Sequence, residues 1–453
     1  MIDKNSKICI IGAGSTGIAA CKNFFQAGLD FMCFEASSEI GGNWVFKNSN
    51  GMSSAYKSLH INTSREKMQY YDFPMPEHYP DFPHHSDIAN YFNAYVDHFN
   101  FRDKIEFNSL VTNARLLKNG QWEIHTNNLN SPLIFDALVV ANGHHWDPRM
   151  PEPRFKGSFA GEEIHSHYYL SPKDPLNCID KNIVVVGGGN SAMDIACELS
   201  QRNHARKVFI SMRTPVWVAP KYFGSAPLDS FQRHPSEKKK WYQHILEPMN
   251  VLLSNYILTK KVIQHVGNPK DIGLLQPEYK FTQAHPTISS EIQIRLGSGD
   301  LIAKPNIKRL RDHHVEFEDG SIEDIDIVIY ATGYKISFPF LDKDIIDVEN
   351  NDIALYKRIF LPGVDNLFFL GLVQPLGALM PIADEQSKLL TQLFLGQYKL
   401  PEQKEMIDDA LKIHNQYKSH YLSSPRHTIQ INVLKYTDNL RSELKRGKKR
   451  ALS

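Results

Sequence analysis

Short, wholly apolar runs that end at glycine set the framework of this chain. Lys7-Ile-Cys-Ile-Ile11 stops at Gly12, and Asn182-Ile-Val-Val-Val186 stops at Gly187. Runs of this length, unbroken by polar residues, predict strands buried on both faces of a parallel sheet. After each glycine turn the period changes. Ile18, Cys21, Phe24 and Phe25 fall on one face of a predicted helix from Thr16 to Gln26. Ala192, Ile195, Ala196 and Leu199 do the same from Asn190 to Ser200. A second apolar run then follows each helix, Phe31-Met-Cys-Phe-Glu35 in the first case and Lys207-Val-Phe-Ile-Ser211 in the second. The strand–turn–helix–strand unit therefore occurs twice.

The two turns carry candidate chemistry. Gly12-Ala13-Gly14-Ser15-Thr16-Gly17 has the spacing in which the first glycine allows the tight turn. The second lets backbone approach a pyrophosphate, and the third lets helix and strand pack closely. The helix N-terminus attracts phosphate, and Glu35, 18 residues after Gly17, can accept hydrogen bonds from a ribose. Gly41-Gly42-Asn43-Trp44 follows this acid, a pattern of FAD-binding units. The second turn runs through Gly187, Gly188, Gly189, Asn190, Ser191, Ala192, Met193 and Asp194. Its second strand ends in Arg213-Thr214 rather than an acid. A guanidinium can bind a 2′-phosphate bidentately, where a carboxylate would repel it, so this unit is expected to take NADPH/NADP+. Asp194, at the end of that stretch, is read as structural or as a polar group of the helix surface, not as a ribose ligand.

Two further phrases resemble each other: Asp136-Ala-Leu-Val-Val-Ala-Asn-Gly143 and Asp326-Ile-Val-Ile-Tyr-Ala-Thr-Gly333. They are expected to close an FAD unit around an inserted NADP unit. The predicted fold is α/β, with two Rossmann-like dinucleotide-binding domains, the NADP domain inserted into the FAD domain. The boundaries are 1–164 for the first part of the FAD domain and 165–330 for the NADP domain, with a helical insertion at about 222–280. Residues 331–453 complete the FAD domain and end in a helical tail. The insertion includes Trp241, Tyr242 and an apolar helical run from Ile245 to Ile257.

Composition narrows the partners. The 453 residues are 42% hydrophobic and 22% charged with a net charge of +1, which gives no reason to expect nucleic acid. The basic stretch Lys445–Arg450 is read as a solvated terminus. The cysteines number five, an odd count without a CxxC, which points to a reducing compartment. No run reaches the roughly 18 apolar residues of a membrane helix, and no signal peptide is visible. A cytoplasmic protein is expected, and a homodimer on base rates. The pairs His84-His85, His144-His145 and His165/His167 lack supporting ligands, so no metal is expected.

Between the two turns, Phe159-Ala-Gly161-Glu-Glu-Ile-His165-Ser-His-Tyr-Tyr169 resembles the FxGxxxHxxx[Y/F] signature of flavin-containing monooxygenases. Further phrases are similar to elements of that family and keep its order. They are Lys57–Glu66 with Asn62, Asp72-Phe-Pro74-Met-Pro76, Gly143-His-His145, Ala331-Thr-Gly-Tyr334 and Gln374–Pro381. Tyr169-Leu170 departs from the Trp usual in Baeyer–Villiger relatives. The sequence ends in Leu444–Ser453 where mammalian members carry a hydrophobic membrane anchor, so no anchor is expected. The resemblance implies an NADPH- and O2-dependent enzyme of soluble bacterial type. It would oxygenate amine nitrogen or sulfide sulfur through a C4a-hydroperoxyflavin shielded by retained NADP+. It also implies that Asn62 is the catalytic side chain, with Ile61, Thr63 and Gln374 among the cofactor contacts. Two alternatives stay open: Baeyer–Villiger oxygenation of ketones, and an uncoupled NADPH oxidase.

Overall fold

The computed structural model describes residues 2–231, 233, 256, 257, 259–420 and 428–453. Most of the predicted helical run from Ile245 to Ile257, with Trp241 and Tyr242, lies outside them. Two five-stranded sheets, every pairing in them parallel, organise the chain. The first has the order Leu367–Phe369, Ala137–Val140, Ile8–Ile11, Phe31–Phe34, Ile105–Glu106. The second has the order Glu162–His165, Ile327–Tyr330, Asn182–Val186, Lys207–Ser211, Leu301–Lys304. All four residues of Ile8–Ile11 and of Ala137–Val140 are buried, as a central parallel strand covered on both faces requires. The helices Ser15–Gln26 and Asn190–Leu199 follow the two glycine turns and bury the predicted apolar faces, except that Phe25 is only half-buried.

The repeated phrases have a different meaning from the one expected. Ala137–Val140 pairs with Ile8–Ile11, whereas Ile327–Tyr330 pairs with Asn182–Val186. Each phrase therefore closes its own sheet, and only the first belongs to the sheet of the first glycine turn. The likeness is physical. Asp136 Oδ2 accepts the Lys7 N–H at 2.8 Å, and Asp326 Oδ2 accepts the Asn182 N–H at 2.8 Å. A Cβ on Gly12 would lie 2.7 Å from the Ala141 carbonyl oxygen, and one on Gly187 would lie 2.4 Å from that of Ala331. In both places the neighbouring strand's exit runs so close beneath the turn that only glycine fits.

The helix Met380–Phe394 packs along Ser15–Gln26 and brings a buried ion network with it. Lys22, 1% exposed, pairs with Asp72 and lies 3.5 Å from Asp384, which also accepts from Asn23 at 3.0 Å. The acid of the Asp72-Phe-Pro74 phrase thus answers a buried lysine, since an unpaired charge there would be prohibitively costly.

Lys445, Arg446, Lys448 and Lys449 of the basic terminus are solvent-exposed, as expected, but the terminus is not a loose tail. It is part of a helix, Val433–Leu452, packed on the body. Glu443, 1% exposed, is bonded by Arg446 at 2.8 Å and also by Arg450. Gly447 lies so close to the Tyr398 ring that a Cβ would fall 2.0 Å from it. All five cysteines are buried and free. Among the described residues, no helix is long and apolar enough to cross a membrane.

Candidate active site

Both glycine turns open onto one cavity of about 2870 Å³. A single drug-sized ligand needs roughly 300–1,000 Å³, so the volume suits more than one large ligand. Its walls lie beyond the carboxyl ends of the two central strands, where open α/β sheets bind nucleotides. Gly12, Gly14, Ser15, Thr16, Glu35, Gly42, Asn43 and Trp44 line the side of the first sheet. Gly187, Gly189, Asn190, Ser191, Ala192, Arg213 and Thr214 line the side of the second. Asn62, Thr63 and Gln374 lie on the wall as well.

Five of the expected contact residues do not reach it. Ala13 is fully buried, and its N–H donates to Glu35 Oε2 at 2.7 Å. Gly17 is a packing residue whose Cβ would sit 1.8 Å from the Gly12 carbonyl oxygen. Ile61 and Met193 are fully buried core side chains. Of the two roles expected of Asp194 it takes the structural one: its Oδ2 accepts the Tyr56 hydroxyl at 2.5 Å. Burial pushes its carboxyl up to about 6, against the Tyr56 hydrogen bond and Lys221, which lower it. Tyr56 belongs to the segment leading to Asn62, so this bond ties that segment to the second helix.

The remaining residues fit two dinucleotides. Neither helix carries a side-chain cap: Gly14 and Gly189 stand at the N-cap positions with no side-chain hydrogen bond. The first-turn N–H groups are thereby left for an anion. A Cβ on Gly14 would meet nothing nearer than the Gly42 Cα at 3.9 Å, so that glycine is not demanded by protein packing. Glu35 is 4% exposed, and its two oxygens accept from Ala13 N–H and Ser37 N–H at 2.7 and 2.9 Å. The carboxylate is fixed against the turn with lone pairs to spare. Arg213 is exposed at the cavity wall and pairs with no acid among the described residues. Asn62 Oδ1 is buried and has no hydrogen-bond partner among the described residues. A buried amide oxygen in that state is costly unless a ligand answers it.

The signature between the turns is mostly architecture. A Cβ on Gly161 would lie 2.4 Å from the Asp326 carbonyl oxygen and 2.6 Å from the Phe159 ring. Tyr169 is buried and donates to Glu198 Oε2 at 2.8 Å. His165 Nδ1 accepts the His167 N–H at 3.0 Å. Burial first, and His167 second, lower the His165 imidazole to about 4, so it is neutral at pH 7. His84 caps the helix His85–His98 and bonds the Lys57 carbonyl at 2.7 Å. Among the described residues no three His, Cys, Asp or Glu side chains gather as a metal site.

Lys221 and Asp229 were not visible as site residues in the sequence. Both line the cavity beside Asn62, from a segment about 160 residues away, and no local motif marks them. Burial lowers the Lys221 ammonium, while Asp194 and Glu291 raise it.

Known proteins agree with this geometry. The family model described as flavin-binding monooxygenase-like matches residues 5–450. Flavin-containing monooxygenase 5 of Rattus norvegicus is 36% identical over 438 residues, covering 94% of this chain and 80% of its own. Dimethylaniline monooxygenase [N-oxide-forming] 2 of Macaca mulatta is 35% identical over 452 residues, covering 97% and 82%. The solved structure of OTEMO in complex with FAD and NADP superposes with a TM-score of 0.73 at 19% identity, covering 98% of each chain. Two uncapped glycine turns facing one cavity, and relatives this similar over nearly the whole length, have one explanation: the chain belongs to the flavin-binding monooxygenase family, as an NADPH-dependent flavin enzyme.

Proposed function

We propose that this monooxygenase uses NADPH and O2 to oxygenate soft nucleophiles, the nitrogen of amines and the sulfur of sulfides. The observation that carries the reading is the unpartnered, buried Asn62 Oδ1 at a cavity shared by both glycine turns. The flavin supplies hydride acceptance and oxygen activation. The chain's own groups bind, orient and exclude water. The first turn, with Glu35 and Gly42, holds FAD, and the second, with Arg213 and Thr214, holds NADP. Asn62 donates and accepts hydrogen bonds without titrating, which suits a site where protonation must not drift. The relative named as N-oxide-forming supports amine nitrogen as one acceptor of oxygen.

The test is product analysis with a tertiary amine, a thioether and a cyclic ketone, with NADPH consumption and peroxide followed together. N-oxide or sulfoxide formed nearly in step with NADPH supports the reading. Lactone from the ketone alone, or peroxide matching all the NADPH consumed, overturns it.

A further inference from the structure

We propose that the hairpin spanning residues 221–229 is a strap that positions Asn62, with Lys221 and Asp229 as positioning residues. The proposal rests on the assignment of Asn62 to the oxygenation site. The hairpin pairs Tyr222–Phe223 antiparallel with Ala226–Pro227. It is rooted in the second unit, where the Lys221 N–H donates to Ser290 Oγ at 3.0 Å. It closes on a loop of the first. On one side of Asn62, Lys221 Nζ donates to the Ile61 carbonyl at 3.1 Å. On the other, Asp229 Oδ2 accepts the Ser64 N–H at 2.7 Å. Between these grips Tyr222 donates to Asp81 Oδ2 at 2.9 Å, and the Asp81 carbonyl accepts the Arg65 N–H at 2.7 Å. The Lys221 stem is steadied by the Phe82 ring, 5.0 Å from its ammonium.

The arrangement assigns work to each group. The two grips are hydrogen bonds to an ammonium and a carboxylate, roughly twice as strong as neutral ones. They take the backbone groups that flank Asn62 and leave its side-chain oxygen unanswered. The loop cannot relax to satisfy that oxygen internally, so the amide stays presented to the cavity. A misplacement of about 1 Å at a reacting centre can cost on the order of a hundredfold in rate, so a loop carrying such a group needs this support.

The test compares FAD-loaded wild type with Asp229→Ala, Asp229→Asn and Lys221→Met. Amide exchange in a peptide spanning residues 61–65 is measured alongside KM for NADPH and peroxide released per NADPH. Asp229→Ala and Lys221→Met are expected to speed exchange at least tenfold and to raise the peroxide share several-fold, with KM for NADPH unchanged. Asp229→Asn keeps an acceptor for the Ser64 N–H and is expected to recover most of both. Wild-type exchange in Asp229→Ala, or Asp229→Asn as fast in exchange as Asp229→Ala, overturns the strap. Faster exchange in Asp229→Ala within an enzyme that oxygenates nothing would overturn the proposed function and leave the strap standing.

Discussion

Asn62 and Arg213 are each defined by what they lack. Among the described residues, Asn62 Oδ1 is buried without a partner, and Arg213 sits at the cavity wall without an acid. Asn62→Ala is expected to keep FAD bound while oxygenated product falls and peroxide rises to match NADPH consumed. Normal coupling in that variant would remove Asn62 from the chemistry. Arg213→Ala is expected to raise KM for NADPH roughly tenfold or more, the equivalent of losing a hydrogen bond to a charged group worth about 1.5–3 kcal/mol. KM for NADH should barely move, and equal changes for both cofactors would show that the guanidinium does not read the phosphate. Arg213 was legible from its place at the end of the second unit's second strand, but Asn62 could not be chosen from its own neighbours. Asn62 stands in a polar turn beside Thr63 and Ser64, and only the run of family phrases around it singled it out.

At the scale of elements, the glycines of the first turn divide by what limits them. Gly17 is limited by protein, since its Cβ would strike the Gly12 carbonyl at 1.8 Å. Gly14 has room, so its requirement comes from the ligand. Gly17→Ala is therefore expected to destabilise even the cofactor-free chain, by about 1–3 kcal/mol as for other overpacked sites, seen as a lower Tm. Gly14→Ala should leave the cofactor-free Tm unchanged and weaken FAD retention, measured as the flavin-to-protein absorbance ratio after gel filtration. A matching loss of Tm in both variants would contradict the division. These turns were legible because strand, glycine and helix are consecutive, and each glycine's constraint is set by a neighbour within the same unit. The paired Asp136 and Asp326 phrases were legible as a repeat, but not as two separate closures, because pairing partners are not written in a strand's own residues.

At the scale of the whole molecule, His165 lies in the edge strand of the second sheet, close to the Tyr334 ring at 5.6 Å. Its folded pKa is about 4, below the ordinary 6.5, chiefly through burial. The unfolded chain therefore binds a proton between those values while the folded one does not. The stability it contributes is complete above about pH 6.5 and is lost as pH falls toward 4, at up to ~1.4 kcal/mol per pH unit. His165→Gln is expected to flatten the acid limb of stability against pH, measured by urea unfolding from pH 7 to 4.5. An unchanged limb would show that another group governs it.

The sequence by itself determined the two strand–turn–helix–strand units, the absence of an acid after the second, and the family, because each is encoded over a few consecutive residues. The tertiary structure decided how they act together. It placed both turns on one cavity, drew Tyr56 to Asp194, and set Lys221 and Asp229 on either side of Asn62. It also turned the basic terminus into a packed helix around buried Glu443. The contacts of Tyr56, Lys221 and Asp229 join residues 138, 160 and 165 positions apart and follow from how elements pack. A hydrogen bond across that separation leaves no periodicity or spacing in the chain to be read.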